Sequence, residues 1–258
     1  REARRFRVGG QTVYAPLAPV DQAAFPARRV QHDGQTHAYH DRVAPGSAIP
    51  DSVVTQYQFE DDIDTATAID AVGSNNGAIN GGTYDAESRC GSFAYRSDGT
   101  DDRVVSSSTV DLSASGDTVG ASVGGFFNPD NATDFQATVY WGVDSNNYLR
   151  LDINNNEWNA VTQVNQANFT VASSSGVSTS GYTHGLACHD GSDVYLIIDG
   201  TEVARTSTAA DVTQIGAGDL VVADGGVNFS AYAGLTDNAS WANEALTESE
   251  AQALIDQC

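Results

Sequence analysis

The chain has 258 residues, of which 40% are hydrophobic, so it holds enough apolar sequence for a core and wholesale disorder is excluded. Its 34 acids face 12 arginines and no lysine, for a net charge of -22, which excludes nucleic acid as a partner of the main body. No stretch approaches the ~18 apolar residues of a membrane-spanning helix.

An acidic surface without lysine is typical of proteins that work in molar salt. At 1 M salt the Debye length falls to about 3 Å, so like charges are screened from one another. The composition therefore predicts a protein from an extreme halophile. An ordinary acidic secreted protein is the alternative.

Charge divides the chain near residue 50. Residues 1–50 carry a balance of +3 and residues 51–258 carry -25, and the first segment also holds five of the six prolines. Its few, scattered aromatic residues are too little for a core of its own. Two short hairpins are predicted within it, turning at Gly9–Gly10 and Asp33–Gly34. We interpret residues 1–50 as an extended arm that needs a partner surface; a linker from an upstream domain is the alternative.

From residue 51 onward, short runs of β-branched and aromatic residues alternate with clusters of Gly, Asn, Asp and Ser. This texture predicts an all-β, antiparallel β-sandwich. Asn154–Asn156 and the type I′ pair Asp199–Gly200 predict hairpin turns, and the Ser-rich stretch 168–180 fits no strand. The clearest strands are predicted at Val119–Phe127, Phe135–Val143, Tyr148–Ile153, Trp158–Val164, Asp193–Ile198 and around Val221.

One short helix is predicted at the C-terminal end. Thr247 and Glu250 form a capping-box pattern, and Ala251, Leu254 and Ile255 follow at helical spacing. We expect this helix to pack on the sandwich.

Five short motifs, in order, resemble those of laminin G-like (concanavalin A-like) jelly-roll domains. They are Tyr57–Asp61 with Asp70–Gly77, then Phe93–Val104, Asp193–Val203, Ala233–Asp237 and Trp241–Leu254. The resemblance implies a jelly-roll sandwich over residues 51–258. Residues 1–50 match nothing in the family.

The resemblance also implies a structural Ca²⁺ ion. Laminin G-like domains often hold calcium through carboxylates and backbone carbonyls, the oxygen ligands that a hard cation prefers. The matching acids are Glu60, Asp70 and Asp237, with Asp98 and Asp102 as further candidates. The alternative is that they are ordinary surface acids.

Three cysteines allow one disulfide and one free thiol in an extracellular chain. Because the first and last strands of the family's fold lie together, the resemblance implies a bridge between Cys90 and Cys258. Cys188 lies in an apolar run and is predicted to be a buried thiol.

Catalysis has a single candidate in the sequence. Glu60, Asp62 and Asp64 alternate, as does the carboxylate ladder of retaining glucanases of this class. That ladder lies on a central strand in those enzymes, whereas here it would end the first strand, so we do not predict an enzyme.

Metal ligation by histidine is also considered. His32, His37 and His40 with Asp41 are candidate ligands, but a solvated hairpin explains them more simply.

We predict a non-catalytic recognition module that binds a host envelope glycan or surface protein. The predicted platform for the ligand is aromatic, with burial in the core as the alternative: Tyr140, Trp141, Tyr148 and Trp158.

The expected setting is extracellular. An arm joined to a binding fold resembles viral spikes, turrets and tail fibres, or archaeal cell-surface proteins. We therefore expect a homo-oligomeric protein on the virion of a halophilic archaeal virus, with an archaeal cell surface as the alternative. The alternative functions are a secreted glucanase and a structural decoration protein without a host ligand.

Overall fold

The computed structural model describes residues 48–60, 66–113, 120–165, 167–223 and 230–258, together with the backbone of four strands among the first 47 residues. The chain divides into two compact units, Arg1–Pro45 and Gly46–Cys258.

The first unit contains two separate hairpins, as the sequence predicts. Strand β1 (Ala3–Val8) pairs with β2 (Gln11–Pro16), and β3 (Ala27–His32) pairs with β4 (Gln35–His40), both antiparallel. Of the candidate histidine ligands that the sequence analysis set aside, His32 ends β3 and the other two lie on β4. Residue 41 lies outside the described residues.

The second unit has sixteen strands and one α-helix among its described residues. The helix, α1, runs Glu248–Ile255, and a short 3-10 turn occupies Val212–Gln214. In chain order the strands are β5 (Val53–Tyr57), β6 (Thr67–Ala68), β7 (Gly77–Asn80), β8 (Thr83–Asp85), β9 (Ala94–Asp98), β10 (Arg103–Ser106), β11 (Ala121–Pro129), β12 (Gln136–Asp144), β13 (Asn147–Asn154), β14 (Glu157–Val164), β15 (Ala167–Gly176), β16 (Thr183–His189), β17 (Asp193–Ile198), β18 (Thr201–Ser207), β19 (Asp219–Val222) and β20 (Ala233–Ala242).

These strands form two antiparallel sheets around a shared core. The first sheet has the order β15-β14-β13-β12-β19-β10-β7-β6. The second has the order β18-β17-β16-β11-β20-β9-β8, and β5 also pairs with β20. The predicted all-β sandwich with a short C-terminal helix is confirmed.

The hairpin turns follow from residues that tolerate a left-handed backbone. Asn155 and Asn156 have φ of 51° and 65°, and they reverse the chain between β13 and β14. Asp199 and Gly200 have φ of 48° and 79°, both positive as a type I′ turn requires.

The prediction that residues 168–180 fit no strand is wrong for residues 168–176, whereas residues 177–180 lie outside any strand. Strand β15 lies along β14 from Ala167, opposite Val164, to Gly176, opposite Glu157. Serine has little preference for strands, but pairing with a neighbouring strand overrides a weak local preference.

The core between the sheets is built around three tryptophans. Trp141, Trp158 and Trp241 are among the largest fully buried side chains. Two of their indole N–H groups are satisfied, because Trp141 donates to the carbonyl of Val110 at 2.9 Å and Trp241 donates to that of Tyr140 at 3.1 Å. Burying a large apolar side chain contributes about 2–3 kcal/mol.

A second apolar cluster lies between α1 and the outer face of the second sheet. Leu186 and Ile197 on β16 and β17 belong to it together with Ala251 and Leu254 of the helix. Thr247 caps the helix, and its capping box with Glu250 is formed as the sequence predicts.

Candidate functional site

A polar group of side chains lies on the outer face of the first sheet. Side chains alternate along a strand, so Leu149, Leu151 and Ile153 of β13 enter the core while the residues between them point outward. Their partners on β12 and β14 share that face. We call this group the polar face: Tyr140, Tyr148, Arg150, Asp152, Asn159 and Gln163.

An ion pair stands at the centre of the polar face. Arg150 Nε donates to Asp152 Oδ2 at 2.8 Å, and the two residues are only 5% and 2% exposed. Burial raises the pKa of Asp152, and the neighbouring Arg150 charge opposes that rise. Because such a pair loses its hydration, well-packed apolar residues would stabilise the fold at least as well.

Aromatic rings hold the Arg150 guanidinium in place. Its central carbon lies 4.7 Å from the ring centre of Tyr148 and 5.1 Å from that of Phe135, a cation–π geometry. The Tyr148 hydroxyl in turn donates to Gln163 Oε1 at 2.7 Å. The guanidinium is therefore fixed in position by rings and a carboxylate.

The polar face opens toward one side of the sheet. Register places Arg150 opposite Tyr140, Tyr140 opposite Val221, Val221 opposite Val105, and Val105 opposite Ala78. Tyr140 and Val105 are half-buried and Ala78 is exposed. Along this line Val221 is buried, so Tyr140 is the partly exposed residue nearest to the ion pair.

The predicted aromatic platform is wrong for two of its four residues. Trp141 and Trp158 are 0% and 1% exposed and lie in the core, because register pairs them with the inward residues Leu149 and Ile153. Tyr140 and Tyr148 lie on the outer face instead. The alternation of Arg150 and Asp152 with leucine and isoleucine was the sequence signal that marks the polar face.

Two of the predicted calcium ligands come together beneath residues 89–93. Asp237 Oδ2 accepts hydrogen bonds from the backbone N–H groups of Arg89 and Cys90 at 2.9 and 2.8 Å. Glu60 Oε1 accepts from Ser92 and Phe93 at 2.8 and 2.9 Å. Asp237 is fully buried, and burial, followed by the neighbouring Glu60 charge, raises its pKa to about 7.

This carboxylate pair fits a cation through one oxygen in particular. Asp237 Oδ1 is buried without a hydrogen-bond partner among the described residues, whereas its other oxygen and the Glu60 carboxylate already accept N–H groups. A cation would supply a partner to Oδ1 and neutralise the two like charges.

Asp70 has a different role. Its Oδ1 accepts from the N–H groups of Gln56, Val72 and Gly73, and its Oδ2 accepts from that of Asn75. These bonds fill most of the acceptor capacity of a carboxylate. Asp70 therefore organises its own loop.

The proposed catalytic ladder is not assembled on a described strand. Strand β5 ends at Tyr57, and Glu60 follows it with its carboxylate bound to backbone N–H groups. The other two acids of that pattern, Asp62 and Asp64, lie outside the described residues.

A disulfide joins Cys90 to Cys258, which are 168 positions apart in sequence, and their Cα atoms lie 4.6 Å apart. It fastens the segment over Asp237 to the residues just after α1. Cys188 is a buried free thiol, and burial raises its pKa to about 12.

The chain belongs to the concanavalin A-like lectin/glucanases superfamily. The family model (Laminin_G_3) matches residues 98–252, more than half of the chain, in agreement with the two-sheet architecture and the laminin G-like motifs. A search of curated proteins gives no match.

Solved structures share this fold at low sequence identity. Domain 4 of AbnA, a GH43 extracellular arabinanase from Geobacillus stearothermophilus solved with arabinotriose, superposes with a TM-score of 0.62 at 18% identity, covering 79% of this chain and 98% of that domain. The binding domain of botulinum neurotoxin DC, solved with rat synaptotagmin II, gives 0.58 at 11% identity, covering 81% of this chain and 52% of that one. The serotype D neurotoxin binding domain, solved with N-acetylneuraminic acid, gives 0.56 at 12%, covering 78% and 50%.

The chain thus spans about half the length of the neurotoxin domains and nearly all of the arabinanase domain. Within the described ranges, no helix combines the length and hydrophobicity needed to cross a bilayer.

Proposed function

We propose that this chain is a non-catalytic binding module whose ligand site is the polar face. The observation that carries the proposal is the buried Arg150–Asp152 pair on a sheet face that points away from the core. Burying two charges there costs hydration energy that an apolar pair would not, so a role in recognition accounts for their presence better than stability does.

The geometry suits hydrogen bonding and ring stacking. Arg150 is held by Tyr148 and Asp152 before any ligand arrives, which lowers the entropy cost of binding. Tyr140, half-buried beside it, offers an aromatic surface to a sugar ring or a protein side chain. The similar domains were solved with a saccharide, a sialic acid or a protein receptor, which supports a glycan or a protein surface as the ligand class.

We further propose an extracellular setting on a halophilic virion or an archaeal cell surface, where the ligand is a host envelope glycan or protein. The net charge of -22 without lysine supports the halophilic origin, and the basic first 50 residues support an arm that docks the module on an assembly or oligomer. The melting temperature should rise steeply from low to molar NaCl, because salt screens repulsion between the acids. A melting temperature that does not change with NaCl concentration would contradict the proposed halophilic origin.

The binding test begins with the intact protein in molar NaCl, titrated with arabinotriose and N-acetylneuraminic acid and applied to a glycan array. We expect a saccharide to bind, and Tyr140→Ala to weaken its binding roughly tenfold, the loss of one stacking contact. Tyr182→Ala is the matched control, because Tyr182 is a half-buried tyrosine whose hydroxyl donates to the Glu87 carbonyl away from the polar face.

Two outcomes would overturn the proposal. Equal losses in both tyrosine variants would show that the polar face is not the site. Release of reducing ends from β-glucan, abolished by Glu60→Gln, would support the glucanase alternative instead.

We also propose a structural Ca²⁺ at the Glu60–Asp237 pair, supported by the unpartnered Asp237 Oδ1. Calcium would neutralise the two carboxylates and secure residues 89–93 above them. Its removal by a chelator should lower the melting temperature of the wild type. Asp237→Asn should respond less to the chelator, and an equal response would contradict the proposal.

A further inference from the structure

The charges of the polar face balance within the face itself. Arg150 Nε donates to Asp152 Oδ2 at 2.8 Å, and both side chains are buried. A guanidinium and a carboxylate at this distance form a charge-assisted hydrogen bond. Arg150 therefore contacts a negative charge before any ligand binds.

Two partly exposed aromatic residues lie beside Arg150. Tyr140 is opposite Arg150 in register, and the central carbon of the guanidinium lies 5.1 Å from the ring centre of Phe135. Both aromatic residues are partly exposed. Residues that face each other across two strands have Cβ atoms ~5 Å apart, so a ligand that stacks on Tyr140 comes close to the Arg150 side chain.

Positive charge is scarce in the sandwich. Residues 51–258 hold five arginines and no lysine: Arg89, Arg96, Arg103, Arg150 and Arg205. Arg96 and Arg205 are held in ion pairs by carboxylates of the second sheet, and Arg89 lies over the ring of Phe126, also on the second sheet. The first sheet therefore carries two of the five, Arg103 and Arg150.

Arg103 lies well to one side of Tyr140. It stands on β10 two residues from Val105, and Val105 is two strands from Tyr140 in the same row. At a strand spacing of ~4.8 Å and a rise of ~3.3 Å per residue, the Cα atoms of Arg103 and Tyr140 are about 12 Å apart. The Debye length is only about 3 Å at 1 M salt, so the charge of Arg103 contributes little to binding at Tyr140.

A ligand carboxylate beside Tyr140 would have to share the Arg150 guanidinium with Asp152. Two carboxylates at one buried site repel each other, and both lose hydration there. A ligand hydroxyl accepts a hydrogen bond from the guanidinium without that repulsion. It also matches the side-chain amides of Asn159 and Gln163, since a hydroxyl and an amide can each donate and accept.

A saccharide suits these groups better than a protein surface does. Hot spots of protein interfaces centre on large aromatic or arginine anchors in desolvated pockets, and both tryptophans of the first sheet lie in the core. The outer face offers amides, a neutralised ion pair and the ring of Tyr140 instead. These groups suit the hydroxyls and the ring face of a sugar.

We propose that Asp152 determines the charge selectivity of the polar face: by neutralising Arg150, it restricts the site to uncharged, hydroxyl-rich saccharides and excludes those that carry a carboxylate. This selectivity rests on the proposed function, in which the polar face is the ligand site. It adds the class of saccharide and the residue that selects it.

The test compares carboxylated saccharides with their methyl esters on the intact chain in molar NaCl. Esterification removes the charge and keeps the ring and the hydroxyls. The probes are N-acetylneuraminic acid, galacturonic acid oligomers and the methyl esters of both, on an array that also holds neutral saccharides, with calorimetry for each hit. We expect the hits to be uncharged, and any ester to bind roughly tenfold or more tightly than its acid.

Asp152→Asn tests the selecting residue, because it keeps the shape of the side chain and removes its charge. With Arg150 no longer neutralised, each acid should gain affinity relative to its ester, roughly tenfold or more. Asp219→Asn is the matched control, since Asp219 is exposed and lies on the same face, two residues from Val221 and opposite Gly142. Neither it nor Arg103→Met should change the ratio of the two affinities.

The outcomes separate this selectivity from the proposed function. An acid that binds the wild type as tightly as its ester, and is lost in Tyr140→Ala, would overturn the selectivity and leave the polar face as the site. Equal ratios in Asp152→Asn and Asp219→Asn would overturn the role of Asp152. Binding that survives Tyr140→Ala, or no binding of any saccharide, would overturn the proposed saccharide site itself. The comparison of acid and ester on the wild type needs no variant, so it decides the matter even if Asp152→Asn does not fold.

Discussion

The two outer faces of the sandwich differ in composition and in cover. The second sheet is covered by α1, the single α-helix of the described residues, over an apolar cluster that includes Leu186, Ile197 and Leu254. A disulfide fastens the end of that helix to residues beside Cys90. The first sheet instead presents the polar face, with a buried ion pair and two tyrosines.

This contrast separates stability from recognition. Apolar burial and a covalent bridge on the second sheet stabilise the fold. Part of the outer face of the first sheet consists of charged groups, which contribute little to stability. Substitutions on the helix-covered face should therefore lower the free energy of unfolding, and those on the polar face should lower affinity.

The largest effect is expected from the disulfide. Replacing Cys90 and Cys258 together by serine releases a constraint across 168 residues and should cost about 5 kcal/mol of unfolding free energy. Denaturant unfolding at fixed molar NaCl measures it, with Cys188→Ala as the cysteine control. A loss below about 1 kcal/mol would mean that the helix-covered face does not depend on the bridge.

Protonation of His184 should have the next largest effect. His184 is buried beside Phe126, with ring centres 4.8 Å apart, and burial lowers its pKa to about 3. The unfolded chain binds this proton near pH 6.5 and the folded chain only near pH 3, so stability falls as pH drops through that window. The contribution is about 5 kcal/mol.

The measurement is the unfolding free energy of wild type and His184→Gln between pH 7 and pH 3. Carboxylates titrate in both proteins, so the difference between the two unfolding free energies at each pH reports the protonation of His184. If the two curves stay parallel, the histidine is not a buried neutral group on this face.

Truncation of the helix contact should be somewhat less severe. Leu254→Ala removes a buried side chain from the apolar cluster and should cost about 3 kcal/mol. Leu254→Met is the matched control, because it keeps the volume and should cost less than about 1.5 kcal/mol. Urea unfolding compares them, and a negligible loss in both would show that α1 is not essential to the fold.

Local patterns predicted much of the sheet that carries the polar face. Alternation in β13, the Asn155–Asn156 turn and β14 were all readable, because each depends on residues close in sequence. The orientation of Trp158 was readable too, since a two-residue turn pairs it with the inward Ile153. Trp141 and Trp158 were wrongly assigned to an exposed ligand platform because that register was not applied to them.

Long-range contacts could not be read in the same way. Asp237 meets the backbone of Arg89 from 148 positions away, and no local pattern separates it from Asp70, whose carboxylate binds its own loop. Strand β15 was missed because its Ser-rich sequence shows no alternation of apolar and polar residues. It forms a strand by pairing with β14.

The most direct test of the binding face is Arg150→Met, which keeps the side chain's length and removes its charge. Calorimetry in molar NaCl with the saccharide found in the screen should show affinity reduced roughly tenfold or more. Because Arg150→Met alone leaves Asp152 buried without its partner, it should lower the free energy of unfolding by about 3–5 kcal/mol. The same measurement is therefore made on Arg150→Met combined with Asp152→Leu, which should lose the same affinity and stay within about 1 kcal/mol of wild-type stability. Arg205→Met is the control, since Arg205 stacks on Tyr195 on the second sheet at 4.1 Å, and it should bind normally. Unchanged affinity in Arg150→Met would contradict the assignment of the polar face as the binding site.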